Sequence, residues 1–174
     1  LSQNNFSVVV PDLPGFGKSS IPPRAWNEED YCDFIEQFVE KLDLKEFYLL
    51  GHSFGGGLAA VYTVTFPRRV KALLLFASSI VRRTTLKIKL FRIASKIFKI
   101  FSFFPFYQLL RRAFYKYIVR KSDYPYTSGL MKETYLKVVH KDFSYYLPSI
   151  PLPTLILWGQ KDDVVPLKDA NFIQ

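Results

Sequence analysis

Four short apolar runs divide the chain. Residues 6–10 (FSVVV) end at Pro11, and similar runs occupy residues 47–50, 72–77 and 153–159. Continuous apolar runs of this length, bounded by turn-forming residues, are typical of strands that are buried on both faces. The pattern therefore predicts four buried β-strands.

Between the first two runs the apolar positions follow a helical period. Asn27 is a favoured N-cap residue, and three acidic residues follow it in the first turn. Apolar side chains then recur at i, i+3, i+4, i+7, i+8 and i+11, which predicts an amphipathic helix. These positions are Tyr31, Phe34, Ile35, Phe38, Val39 and Leu42. A second helical segment over residues 58–66 ends before Pro67.

Strands that alternate with helices favour one fold class. Buried strands joined by helical crossovers form a parallel sheet that is covered by helices on both faces. The chain has 174 residues, 49% of them apolar and 17% aromatic, which is enough for one hydrophobic core. We therefore expect an α/β protein with a partial doubly wound, mostly parallel sheet.

A glycine-flanked serine lies between the second strand and the helix after it. Gly51, Ser53 and Gly55 fit the pattern G-x-S-x-G, in which a sharp strand-to-helix turn holds the serine in a strained conformation. Side chains at the two glycines would collide with neighbouring strands, which predicts glycine there. The alternative is an ordinary glycine-rich β–α turn with an inert serine.

A carboxylate follows the last predicted strand. Asp162 comes directly after residues 153–159, and Ser53 comes directly after residues 47–50. Because the carboxyl ends of parallel strands share one edge of the sheet, we expect both residues to face one crevice.

Three segments together resemble the α/β-hydrolases. They are GHSFGG at residues 51–56, DLPGFGKS at 12–19, and WGQKDDVVP at 158–166, in the order in which that family has them. The resemblance covers residues 6–80 and 149–174, and loosely the stretch between. It implies that Ser53 is the nucleophile and Asp162 the acid of a triad, with Asp163 as the competing acid. It also implies that the backbone amide of Phe54 helps to form the oxyanion hole, and it implies no metal and no organic cofactor.

The base of the implied triad is not found among the histidines. His52 lies inside the turn itself, and His140 precedes the acid, whereas the family order is serine, acid, histidine. The resemblance therefore predicts a histidine outside this chain, and a chain truncated at both ends that is inactive by itself.

Residues 81–148 interrupt the core, which comprises residues 1–80 and 149–174. The stretch from Arg82 to Lys121 carries twelve basic residues and no acidic one, out of 24 basic residues in a chain of net charge +9. Apolar side chains alternate with these charges at helical spacing, which predicts a helical, basic cap. Two interpretations stay open: a cap that roofs the crevice, or peripheral contact with an anionic membrane. No recognition motif accompanies the charge, so we expect no nucleic-acid partner.

These expectations define a small set of functions. The resemblance implies a serine hydrolase that takes a small-molecule carboxylic ester or similar acyl substrate. The alternatives are hydrolysis of a C–C bond by the same triad, and a non-catalytic binding protein of the same fold. A single cysteine, Cys32, excludes an internal disulfide framework and suggests a reducing, cytoplasmic location, with membrane association as the alternative.

Overall fold

The computed structural model describes residues 6–82, 129–138 and 141–174. Its α-helices and β-strands alternate along the chain. They are α1 (Glu28–Lys41), β1 (Phe47–His52), α2 (Phe54–Thr65), a 3₁₀ turn (Pro67–Arg69), β2 (Val70–Phe76), α3 (Gly129–Val138), a 3₁₀ segment (Ser144–Ser149), β3 (Thr154–Leu157) and α4 (Leu167–Ile173).

The three strands form one parallel sheet in the order β1-β2-β3. His52 lies opposite Phe76, and Phe76 lies opposite Leu157, so all three strands end at the same level. The parallel α/β fold predicted from the sequence is confirmed. Whatever follows each strand therefore meets at one edge of the sheet.

Helix α2 covers one face of this sheet. Leu73 and Leu75 of β2 are fully buried and share a core cluster with Ala60, Val61 and Tyr62 of α2. Every residue from Gly56 to Thr63 is buried, because α2 lies between the sheet and α1. Helix α2 is thus a central element of the core, and its N-terminus is fixed at the carboxyl edge of β1.

The N-terminus of α1 is capped as the sequence predicts. The Asn27 side chain accepts a hydrogen bond from the Asp30 amide, and the Asp30 carboxylate accepts one from the Asn27 amide, both at 2.9 Å. This reciprocal arrangement satisfies two amides that the helix itself leaves unpaired.

The other face of the sheet differs from the prediction. Partners in a parallel register share a face, and the face of Tyr48, Leu50, Leu155 and Leu157 is 58%, 52%, 52% and 45% exposed. In the described ranges, helices cover this sheet on one side only. We call the four residues the open face.

The predicted buried strand at residues 6–10 is wrong. These residues form no strand, and Val10 is 85% exposed. The ring of Phe6 contacts that of Tyr48, with centroids 6.0 Å apart, but β1 pairs only with β2. An apolar run becomes a strand only when a neighbour supplies the ladder hydrogen bonds, and no described strand does so here.

Helix α3 is docked against the first part of the chain. Thr134 Oγ1 accepts a hydrogen bond from the Trp26 amide at 3.1 Å, and Lys137 Nζ donates to the carbonyl of Ala25 at 3.3 Å. Lys141, just beyond α3, forms an ion pair with the buried Glu28. Most of the predicted basic cap, with its membrane-contact alternative, falls on residues 83–128, which lie outside the described residues.

In the three described ranges, no helix combines the length and the apolar character needed to cross a bilayer.

Candidate active site

Ser53 occupies a single-residue turn between β1 and α2. Its backbone dihedral angles are φ 51° and ψ −122°, a combination with positive φ that side-chain-bearing residues rarely adopt. The strand ends at His52 and the helix begins at Phe54, so one residue makes the whole change of direction. This is the sharp strand-to-helix turn that the sequence pattern predicts.

The glycines around the turn have unequal roles. A Cβ atom on Gly51 would lie 2.5 Å from the Gly55 carbonyl oxygen and 2.6 Å from the Gly56 Cα, so only glycine fits there. At Gly55 the predicted collision is absent, because no described atom lies within 4 Å of a Cβ at that position. The close contact belongs to Gly56, which packs directly on the side chain of Ser78. Helical geometry turns Gly56, rather than Gly55, toward the sheet.

The backbone of Ser53 is hydrogen-bonded on both sides. Its amide donates to the Phe76 carbonyl at 3.2 Å, and its carbonyl accepts from the amides of Ser79 at 2.8 Å and Gly56 at 3.0 Å. The side chain, by contrast, makes no capping hydrogen bond to α2 and is half-buried. The backbone is therefore fixed, whereas the side chain is not held by a cap on α2.

Phe54 is the first residue of α2. The first amides of a helix have no acceptor within it and carry the positive end of the helix dipole. The Phe54 ring lies between those of Phe16 and Tyr31, with centroids 5.9 Å and 5.8 Å away. These contacts hold the residue whose amide the resemblance assigns to the oxyanion hole.

Tyr31 connects this aromatic contact to the loop at residues 12–19. Its hydroxyl donates to the Pro14 carbonyl at 3.0 Å, and burial raises the pKa of Tyr31 to about 12. The phenol therefore stays a neutral donor at physiological pH. The contacts of Phe16 and Tyr31 with Phe54 are not predictable from the sequence, because no spacing rule connects residues of three separate segments.

Asp162 lies in the turn that follows β3. Its Oδ1 accepts hydrogen bonds from the amides of Val164 at 2.9 Å and Val165 at 2.8 Å. Trp158 Nε1 donates to the Val165 carbonyl at 2.8 Å and closes the same turn. Oδ1 thus orients the side chain, and within the described ranges Oδ2 is left for another donor. Asp162 is half-buried, whereas Asp163 is exposed.

The sheet brings Ser53 and Asp162 to one edge. They follow β1 and β3, which end in register on either side of β2. Adjacent strands lie about 4.8 Å apart, so the two strand ends are separated by about 10 Å.

No described contact places either histidine of the chain between Ser53 and Asp162. The exposed His52 ring contacts Phe76, with centroids 5.1 Å apart, and both residues lie on the same side of the sheet as the open face, at the carboxyl ends of their strands. His140 lies outside the described residues. Among the described ranges, no three acidic, histidine or cysteine side chains form a group that could hold a metal ion.

Cys32 is not part of the site. It is buried in α1, and burial raises the pKa of its thiol to about 12. It therefore stays protonated, which agrees with a packing role.

A family model described as the alpha/beta hydrolase fold matches residues 1–105 of the chain, more than half of its length. The chain belongs to the alpha/beta hydrolase fold family.

Relatives within this family differ in reported activity. The chain is 25% identical over 189 residues to 2-hydroxymuconate semialdehyde hydrolase from Pseudomonas sp. strain CF600, covering 94% of this chain and 62% of the relative. It is 44% identical over 68 residues to the human (lyso)-N-acylphosphatidylethanolamine lipase, covering 37% of this chain and 20% of the relative.

Solved structures show the same fold. A membrane phospholipase A, described as a bacterial virulence factor, superposes with a TM-score of 0.63 at 22% identity, over 92% of this chain and 56% of that one. The chain thus spans less than two thirds of the length of each of these three proteins.

Proposed function

We propose that this hydrolase-fold chain carries the nucleophile and the acid of a serine hydrolase that cleaves carboxylic esters with an apolar acyl part. The observation that carries the proposal is the positive φ of Ser53 at the junction of β1 and α2. A strained backbone at a serine costs stability, and strain of this kind clusters at functional sites, which is the pattern expected of a nucleophile.

Each residue has a role in the proposed mechanism. The Ser53 hydroxyl attacks the acyl carbonyl after losing its proton to a histidine, and the Phe54 amide donates to the oxyanion that forms. The free Oδ2 of Asp162 accepts a hydrogen bond from that histidine and stabilises it as an imidazolium. The order serine, acid, histidine in this family assigns the base to a histidine other than His52 or His140.

The acyl preference rests on the surroundings of Ser53. Phe16 and Phe54 supply apolar surface beside the turn, and Phe16 is 39% exposed toward solvent. The lipase relative aligns at 44% identity over 68 residues. Both observations favour a substrate whose acyl part is apolar.

The second candidate is C–C bond hydrolysis. It is favoured by the length of the alignment with 2-hydroxymuconate semialdehyde hydrolase, which covers 94% of this chain. The same serine, acid and oxyanion amide would serve that reaction, so the two candidates differ in substrate and not in the residues proposed.

A labelling experiment tests the nucleophile. Protein expressed from the complete reading frame is treated with a fluorophosphonate, which should label Ser53 and should fail to label Ser53→Ala. Ser79→Ala is the matched control, because Ser79 lies at the same edge and is also half-buried. Asp162→Asn should slow labelling at least about 10³-fold, as expected when the base loses its orienting carboxylate, and Asp163→Asn should change it little.

Substrate assays then separate the candidates. Turnover of p-nitrophenyl butyrate and decanoate, with the longer ester preferred, supports the esterase. Turnover of a 2-hydroxy-6-oxo-dienoate alone supports the C–C hydrolase. A correctly folded protein that the fluorophosphonate does not label and that turns over neither class of substrate would be a binding protein, and the proposal would be wrong.

A further inference from the structure

The turn that follows β2 packs directly against the turn that contains Ser53. Ala77 is, like Ser53, a non-glycine residue with a positive φ, here 42°, and Ser78 after it is fully buried. Strained backbone in two adjacent turns is maintained only where the surrounding contacts fix both of them.

Ser78 makes two kinds of contact with the Ser53 turn. Its Oγ donates a hydrogen bond to the Gly51 carbonyl at 3.1 Å. Its side chain also fills the space that the missing Cβ of Gly56 leaves open. Ser78 therefore touches the turn both before and after Ser53.

The backbone on either side of Ser78 completes this arrangement. The Phe76 carbonyl accepts from the Ser53 amide at 3.2 Å, and the Ser79 amide donates to the Ser53 carbonyl at 2.8 Å. Of the hydrogen bonds within the described ranges that fix the turn from this side, the Ser78 bond is the one that a side chain supplies. It is therefore the contact that substitution can remove without altering the backbone.

We propose that Ser78 is a positioning residue for the Ser53 nucleophile. This inference rests on the proposed function. The Ser78 hydrogen bond fixes the peptide plane between Gly51 and His52, one residue before the plane that leads into Ser53. Fixing this plane restricts the backbone angles of His52 and Ser53, and these angles set where Oγ points. Without it, the turn relaxes toward less strained angles and Oγ moves out of line with the acyl carbonyl, and small displacements of this kind are costly in rate.

The test compares Ser78→Ala with Thr63→Val in the protein expressed from its complete reading frame. Thr63 is the matched control, because it is a fully buried hydroxyl on α2 that donates to one backbone carbonyl, that of Ala59, at 2.8 Å. It lies ten residues beyond Ser53, about 15 Å along the helix. Both variants lose one buried hydrogen bond, so a purely structural role predicts the same behaviour for both.

Labelling by a fluorophosphonate is measured as a function of its concentration, well below the unfolding temperature of each variant. We expect the maximal labelling rate of Ser78→Ala to fall about tenfold with its half-saturating concentration unchanged, because binding is intact and the nucleophile is misplaced. Thr63→Val should match the wild type. Ser78→Cys, which retains a weak donor of similar size, should label at an intermediate rate.

Amide hydrogen exchange supplies a readout that does not depend on catalysis. The peptide containing residues 54–56 should exchange faster in Ser78→Ala than in Thr63→Val. Equal labelling and equal exchange in Ser78→Ala, Thr63→Val and the wild type would overturn the positioning role. Wild-type protein that is not labelled at Ser53 would overturn the proposed function instead, and the exchange comparison would still decide whether Ser78 holds the turn.

Discussion

Ser53 keeps a backbone conformation that costs about 1–3 kcal/mol, and it can do so because its neighbours are fixed. Its amide and carbonyl are bonded to Phe76 and Ser79, and α2 begins at the next residue. The local sequence predicts the serine and its turn because the pattern depends on residue types that are adjacent in the chain. It does not predict Ser78, because that contact joins positions 27 residues apart.

The glycines of the turn provide a prediction at the scale of single residues. Gly51→Ala should destabilise the protein strongly, because its Cβ would lie 2.5 Å and 2.6 Å from backbone atoms that cannot move independently. Gly55→Ala has open space and lies in the first turn of a helix, so it should be neutral or should raise the free energy of unfolding by up to about 1 kcal/mol.

Urea unfolding followed by circular dichroism measures both variants. Equal destabilisation by the two alanines would contradict this assignment, and would show that residue 55 is crowded by residues outside the described ranges.

At the scale of elements, helix α1 and sheet strands β1 to β3 were predictable because hydrophobic period and caps are local signals. The contacts between elements were not. Glu36 of α1 accepts hydrogen bonds from the Tyr62 hydroxyl of α2 at 2.5 Å and from Arg69 Nε at 2.8 Å. This network ties α1, α2 and the following 3₁₀ turn together. Nothing in the sequence around each of these three residues indicates that they contact one another.

The cap of α1 gives a prediction for pH. The hydrogen bond from Arg24, helped by the Asn27 amide, holds the pKa of Asp30 below its ordinary value of 3.8. A carboxylate with a lowered pKa in the folded state stabilises the fold above its ordinary pKa, and this stabilisation is lost as the pH falls below that value. Asp30→Asn should therefore be less stable than the wild type at neutral pH, and the difference should shrink below pH 3.8.

Thermal unfolding of both proteins from about pH 7 to about pH 2.5 measures this difference. Glu29→Gln serves as the control, because it removes a first-turn charge without removing the capping box. A difference between Asp30→Asn and the wild type that stays constant down to the acid limit would contradict the assigned role of the Asp30 carboxylate.

At the scale of the whole molecule, the sequence predicted a parallel sheet buried on both faces, and only one face is covered in the described ranges. Alternation within β2 shows what the apolar pattern does and does not determine. Leu73 and Leu75 are fully buried, whereas Phe76 is 45% exposed, yet all three belong to one continuous apolar run. Apolar residues on both faces of a strand indicate that both faces are suited to burial. They do not indicate which segment covers each face.

The open face gives the last prediction. In residues 1–174 expressed by themselves, Leu50→Lys should leave the fold intact, lower the binding of the dye ANS and reduce aggregation, because Leu50 is 52% exposed. Leu73→Lys, on the opposite face and 0% exposed, should unfold the chain, because a lysine cannot be buried there without a partner. Circular dichroism, ANS fluorescence and light scattering distinguish the two. If Leu50→Lys unfolds the chain as Leu73→Lys does, then residues outside the described ranges cover the open face in solution. The apolar pattern of β1 would then have predicted burial on both faces correctly.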